Sequence, residues 1–143
     1  MKVCDILQTK GTTVITTTPD ATLHDALRTL VDSRVGALVV IDTAGHVVGI
    51  ITERDLLRMC AAHSDDIDRI RVVEWMTTNL IIGVPTDEVG YIMGIMTNNR
   101  IRHLPIMDDG RLEGIISIGD VVKAQLEETE FENRYLKDYI QRQ

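Results

Sequence analysis

The sequence predicts a mixed α/β protein of the α+β kind, built from two copies of one βαββα unit and followed by a helical tail. Three observations carry that expectation: an internal repeat at a near-constant offset, helical periodicity followed by short apolar runs in each copy, and turn chemistry at matching places. The chain has 143 residues, 44% of them apolar but only five aromatic, so its core must come from Val, Ile, Leu, Met and Ala.

The repeat is clearest when Pro19 is laid on Pro85, an offset of 66. Leu23, Ala26, Leu27 and Leu30 then fall on Val89, Ile92, Met93 and Met96. Both sets follow i, i+3, i+4, i+7, the apolar stripe of an amphipathic helix. Val35, Leu38, Val40 and Ile41 fall on Ile101, Leu104, Ile106 and Met107, short runs suited to buried strands. Asp42-Thr-Ala-Gly45 answers Asp108-Asp-Gly110, both with the residues of a tight turn. The second turn is one residue shorter, so Gly49–Arg58 lies on Gly114–Lys123 at an offset of 65. Four of those ten positions are identical and four more are conservative, a match that fixes the repeat.

In chain order, residues 13–17 form a β-rich run and Thr22 caps a helix over Leu23–Asp32, with Asp25 completing a capping box. Residues 36–41 and 46–51 make a hairpin-like pair, and a second helix covers Glu53–His63. The polar stretch Ser64–Arg71 is expected to link the copies, and the pattern repeats from Leu80 to about Leu126. The repeats are thus set at 5–63 and 72–126. Neither half, at roughly 60 residues, buries much surface alone, so the two are expected to pack about a pseudo-twofold and share a core. Residues 127–143 hold no Gly or Pro and place Phe131, Tyr135 and Tyr139 at i, i+4, i+8, an aromatic face on a helix.

Charge and composition exclude several functions. The net charge is −7 with no basic run, which argues against nucleic acid as a partner. Arg100 and Arg102 form a local basic cluster fit for a small phosphate compound. No apolar run nears the roughly 18 residues that span a bilayer, and the first residues lack a signal-peptide pattern. A cytoplasmic protein away from the membrane is expected. Cys4 and Cys60 match no zinc spacing, and His24, His46, His63 and His103 are scattered, so no metal site is expected.

The doubled segments Val48-Gly-Ile-Ile-Thr-Glu-Arg-Asp55 and Glu113-Gly-Ile-Ile-Ser-Ile-Gly-Asp120 resemble the signature of the cystathionine-β-synthase (CBS) domain family. Arg34-Val-Gly-Ala-Leu-Val-Val40 and Arg100-Ile-Arg-His-Leu-Pro-Ile106 resemble its strand motif. Glu113, where the pattern has an apolar residue, is a departure. The resemblance covers residues 5–126 and makes the chain similar to a stand-alone CBS pair, or Bateman module.

That resemblance implies two clefts that bind adenine nucleotides (AMP, ADP, ATP, NAD(H)) or adenosyl compounds. In each, an Asp accepts from the ribose hydroxyls, and a Thr or Ser at the helix start holds ribose or phosphate. By the family's geometry Thr52 and Asp55 face Ile81, Ile101, Arg102 and His103, while Ser117 and Asp120 face Ile15, Val35, Gly36 and Ala37. Arg102 and His103 stand where the other cleft has Gly36 and Ala37, so the Asp55 cleft is expected to favour phosphate. The chemistry agrees: one carboxylate can accept from two vicinal hydroxyls, and free N–H groups at a helix start favour an anion. The same Thr/Ser-x-x-Asp spacing is also a plain capping box.

Three functions compete at this stage. A regulatory nucleotide sensor that acts through repeat packing or the geometry of a homodimer is the first. An interaction module with empty clefts is the second. An enzyme is the third, and the sequence offers it no nucleophile with a base and no phosphate-binding Gly-rich loop.

Overall fold

The structure is a computed structural model that describes residues 1–62 and 66–142. Among the described residues it holds six helices and five strands: α1 Val3–Lys10, β1 Thr16–Thr17, α2 Leu23–Ser33, β2 Ala37–Ile41, β3 Val47–Thr52, α3 Glu53–Ala62, α4 Val72–Trp75, α5 Val89–Asn99, β4 His103–Asp108, β5 Arg111–Ser117 and α6 Ile118–Gln141. The expected last residue of the second helix, His63, and the first two of the expected linker, Ser64 and Asp65, lie outside the described residues.

The chain divides into two compact units, Thr13–Ile81 and Met1–Thr12 with Ile82–Gln143. Each unit therefore contains the helix that opens the other repeat.

In the unit of residues 13–81, the sheet order is β1-β2-β3, with β1 parallel and β3 antiparallel to β2. The β-rich run at 13–17 pairs only at Thr16 and Thr17, because Pro19 soon ends it. Thr22 caps α2 as expected: the Asp25 N–H donates to Thr22 Oγ1 at 3.1 Å, and the Thr22 N–H donates to Asp25 Oδ2 at 3.3 Å. The helix ends on Arg34, which takes a left-handed φ of 55°. The β2–β3 turn closes on Asp42, whose Oδ1 accepts from the N–H groups of Ala44 and His46, with Gly45 at φ 86°. The core gathers Leu23, Ala26 and Leu30 of α2, Leu38, Val40 and Ile51 of the sheet, Leu56 and Met59 of α3, and Val72 of α4. Each such side chain contributes about 1.5–3 kcal/mol on burial. Leu27, on the expected stripe, is instead exposed. With Val31, Leu57 and Cys60 it lines an apolar groove on this unit.

The unit of residues 1–12 and 82–143 repeats this plan with one strand fewer. β4 and β5 pair antiparallel, and their bulge at Ile106/Met107 matches the one at Val40/Ile41. The expected first strand of this copy is reduced to a single parallel bridge, Gly83 to Ile106. Pro85, two residues on, has no N–H to extend it. Arg100 ends α5 at φ 54°, as Arg34 ends α2. Val3 and Leu7 of α1 are buried, as are Val89, Ile92 and Met96 of α5, Leu104, Ile106 and Ile116 of the strands, and Val121 and Ala124 of α6. The expected tail continues α6 without a break, about 36 Å of helix in all.

The helices that open the two repeats, α1 and α4, lie beyond the sequence expectations, and both are built alike. Asp5 Oδ2 accepts from the Lys2 N–H at 2.8 Å, and Glu74 Oε2 accepts from the Arg71 N–H at 2.7 Å. α1 rests on β5, and the two residues that follow α4, Met76 and Thr77, rest on β3, at the motif glycines. A Cβ on Gly114 would meet Leu7 Cδ2 at 2.7 Å, and one on Gly49 would meet Met76 Sδ at 2.8 Å. The glycine of each repeated motif thus stands at a close approach, of the Leu7 side chain from α1 in one copy and of Met76 and the Thr77 backbone just after α4 in the other.

Candidate functional site

The two carboxylates singled out by the repeated motif both sit in the first turn of a helix that follows directly on a strand. β3 runs into α3 at Thr52/Glu53 and β5 into α6 at Ser117/Ile118. The junctions are tied identically: the Glu53 N–H donates to the Gly36 carbonyl at 3.0 Å, and the Ile118 N–H to the Arg102 carbonyl at 2.8 Å. Strand register then places Ala37 opposite Thr52 and His103 opposite Ser117.

Asp55 is 6% exposed, the one buried charged residue among the described residues. Its Oδ2 accepts from the Thr52 N–H at 2.9 Å and from the Thr52 hydroxyl at 3.2 Å, while its own N–H donates to Thr52 Oγ1 at 3.4 Å. Asp120 repeats the arrangement: Oδ2 accepts from the Ser117 N–H at 2.8 Å and the Asp120 N–H donates to Ser117 Oγ at 3.1 Å. Both capping boxes are therefore formed. Each leaves the carboxylate further acceptor capacity, since an ionised carboxylate has about four lone-pair sites.

Asp120 has a partner that sequence reasoning missed. The Lys10 ammonium, at the end of α1, donates to Asp120 Oδ2 at 2.5 Å and to the Ile115 carbonyl at 2.6 Å. Burial alone would raise the Asp120 pKa, but the Lys10 ammonium and the Ser117 N–H and hydroxyl outweigh it and hold the carboxyl below its ordinary value. In the other unit the Ile50 carbonyl, which matches Ile115, accepts instead from the backbone N–H of Thr77 at 2.8 Å. A signal for this was present in the chain. Lys2-Val3-x-Asp5 and Arg71-Val72-x-Glu74 repeat at an offset of 69, which carries Leu7 to Met76 and Lys10 to Asn79.

The remaining expected site residues fall as follows. Within residues 13–81 stand Thr52, Asp55, Val35, Gly36, Ala37, Ile81 and Ile15, whose carbonyl accepts from the Val39 N–H at 3.2 Å. Ile101, Arg102, His103, Ser117 and Asp120 stand in the other unit. Arg102 is exposed, and His103 is half-buried at the start of β4. The expected groupings, Asp55 with residues 81 and 101–103 and Asp120 with residues 15 and 35–37, draw on residues of both units and enter the proposal below.

No described helix is long and apolar enough to cross a membrane. Comparison with known proteins finds the same domain twice along the chain. The CBS domain profile matches residues 3–62 and again residues 71–127. A CBS domain-containing protein of Arabidopsis thaliana, the mitochondrial CBSX3, is 37% identical over 97% of this chain and 71% of its own length. The crystal structure of the CBS-domain containing protein ATU1752 from Agrobacterium tumefaciens superposes with a TM-score of 0.84 at 43% identity, covering 87% of this chain and 92% of that one. The CBS domain pair of protein MJ0100, solved in complex with 5′-methylthioadenosine and S-adenosyl-L-methionine, gives a TM-score of 0.78 at 26% identity, covering 90% and 98%.

Proposed function

Because this chain belongs to the CBS-domain family as a tandem pair, we propose that it is a regulatory module that binds adenine nucleotides or adenosyl compounds. AMP, ADP, ATP and NAD(H) are the nucleotides considered. The observation that carries this reading is the doubled Thr52-x-x-Asp55 and Ser117-x-x-Asp120, each with its carboxylate in the first turn of a helix. The adenosyl ligands in the MJ0100 complex support the ligand class.

In this reading Asp55, with Thr52, Ile81, Ile101, Arg102 and His103, forms one cleft. Asp120, with Ser117, Ile15, Val35, Gly36 and Ala37, forms the other. The carboxylates take ribose hydroxyls, and the helix starts take phosphate. The proposal assigns no catalytic residue. Binding would act through repeat packing or homodimer geometry on a protein partner. Two free thiols, Cys4 and Cys60, fit the reducing cytoplasm.

A second reading rests on the completed capping boxes: both carboxylates already serve their own helix starts, and the clefts stay empty in an interaction module. Thermal melts decide. A ligand bound only by the folded chain stabilises it by about 2.7 kcal/mol at a hundred times its Kd. The melting temperature should rise with the concentration of at least one adenine compound. If none shifts it at millimolar concentration, the interaction module stands.

A further inference from the structure

The lysine that ends α1 stands at the carboxylate proposed to hold ribose. Lys10 and Asp120 side chains are 32% and 24% exposed, open enough to meet a ligand and covered enough to be little screened. An ammonium has three N–H groups. Two are committed, to Asp120 Oδ2 and to the Ile115 carbonyl, and these fix the head group in place. The third remains for an acceptor. On the carboxylate, Lys10 and the Ser117 N–H converge on Oδ2, so Oδ1 keeps its lone pairs for hydroxyls. The result is an acceptor and a cationic donor side by side.

We infer that Lys10 is a specificity-determining residue of the Asp120 site, selecting adenosine ligands that carry a phosphate over uncharged adenosine. This rests on the nucleotide reading above and adds the ligand's charge to it. A bare Asp120 carboxylate would repel a phosphate bound beside it. With Lys10 in contact the pair is neutral, and one further N–H can bond a phosphate oxygen. The other half lacks this device in its matching position, where α4 leads to Asn79 and the edge carbonyl is taken by backbone. The phosphate preference expected from Arg102 near Asp55 and the one assigned to Lys10 are therefore separate and separately removable.

The test is calorimetry of AMP and of adenosine on the full chain carrying Asp55→Asn, which keeps an acceptor for the Thr52 N–H while weakening the first site. AMP should bind at least about tenfold more tightly than adenosine. Lys10→Met should weaken AMP by roughly ten- to a hundredfold, the worth of a hydrogen bond to a charged group. It should change adenosine by less than about threefold, and Lys10→Arg should keep most of the preference. Lys10→Gln, a neutral donor, repeats the test should the Met variant melt early. If the charge-removing variants weaken both ligands equally, affect neither, or tighten both, the inference is overturned. In that case binding that Asp120→Ala abolishes leaves the nucleotide reading intact. If neither ligand binds the unmodified chain, both fall together.

Discussion

At the scale of single residues, the acidic motif positions carry two loads that mutation can separate. Asp55→Ala removes the acceptor for the Thr52 N–H, a loss of about 1 kcal/mol of cap. It also removes the partner proposed for two ribose hydroxyls, so affinity in that cleft should fall roughly ten- to a hundredfold. Asp120→Ala should do the same in the other. Calorimetry and melts on the same proteins give both numbers. An Asp55→Ala chain that melts earlier but binds nucleotide normally would reduce the residue to a cap. Asp120 also sets an acid limit. Its folded carboxyl lies below the ordinary value, so the unfolded chain, with an Asp pKa near 3.9, binds the proton more readily. The stability from this group is complete above about pH 5 and is lost as pH falls through the depressed folded value. Lys10→Met should cost up to about 1 kcal/mol at pH 7, the ceiling for a pair that still meets water. Urea titrations should show that difference shrinking as pH falls below the ordinary Asp range and Asp120 takes up its proton, and a difference unchanged in acid would mean that Lys10 acts only through the Ile115 carbonyl and packing. Thr52, Asp55, Ser117 and Asp120 were legible as a motif because all their local partners lie three residues away. Lys10 was not, since its contacts lie 105 and 110 positions along the chain.

At the scale of elements, the paired glycines differ in how much room each has for a side chain. A Cβ on Gly49 meets the Thr77 backbone oxygen at 3.0 Å as well as Met76 Sδ, whereas a Cβ on Gly114 meets only Leu7 side-chain carbons. Backbone yields less than the end of a leucine. Overpacking of this kind costs about 1–3 kcal/mol. Gly49→Ala should sit near the top of that range and Gly114→Ala near the bottom, as read from urea midpoints at constant slope. The reverse order would mean that Met76 and Thr77 shift on β3 more easily than α1 on β5. Elements with strong periodicity or local caps, α2, α3, α5 and the β2–β3 and β4–β5 pairs, could be read from the chain. α1 and α4 could not: at eight and four residues they are shorter than a helix that holds on its own, and the contacts that hold them are remote in sequence. The first strand of each copy was overread, because apolar and β-branched residues there pair at two positions in one copy and one in the other.

At the scale of the whole molecule, two exposed apolar surfaces bear on the proposed homodimer. Phe131, Tyr135 and Tyr139, the aromatic face expected from the sequence, are 72%, 63% and 56% exposed along the last turns of α6. Leu27, Val31 and Leu57 are exposed beside the groove of α2 and α3. A homodimer that covers them should scatter light as twice the 16.0 kDa chain and should fall apart on dilution more readily after Phe131→Ser with Tyr135→Ser. A particle of single-chain mass at every concentration excludes it.

The division into units also bears on how the protein is made. Residues 13–81 form a unit contiguous in the chain, whereas α1 completes one that begins only at Ile82. A ribosome adds about 5–20 residues per second, so the roughly 110 residues between the end of α1 and the start of α6 delay α1 by about 5–22 s after it has emerged. Through that interval Val3, Ile6 and Leu7, all buried in the finished protein, are without their partners in β5 and α6. α1, which precedes every other element of its unit in the chain, is thus among the last to reach its place.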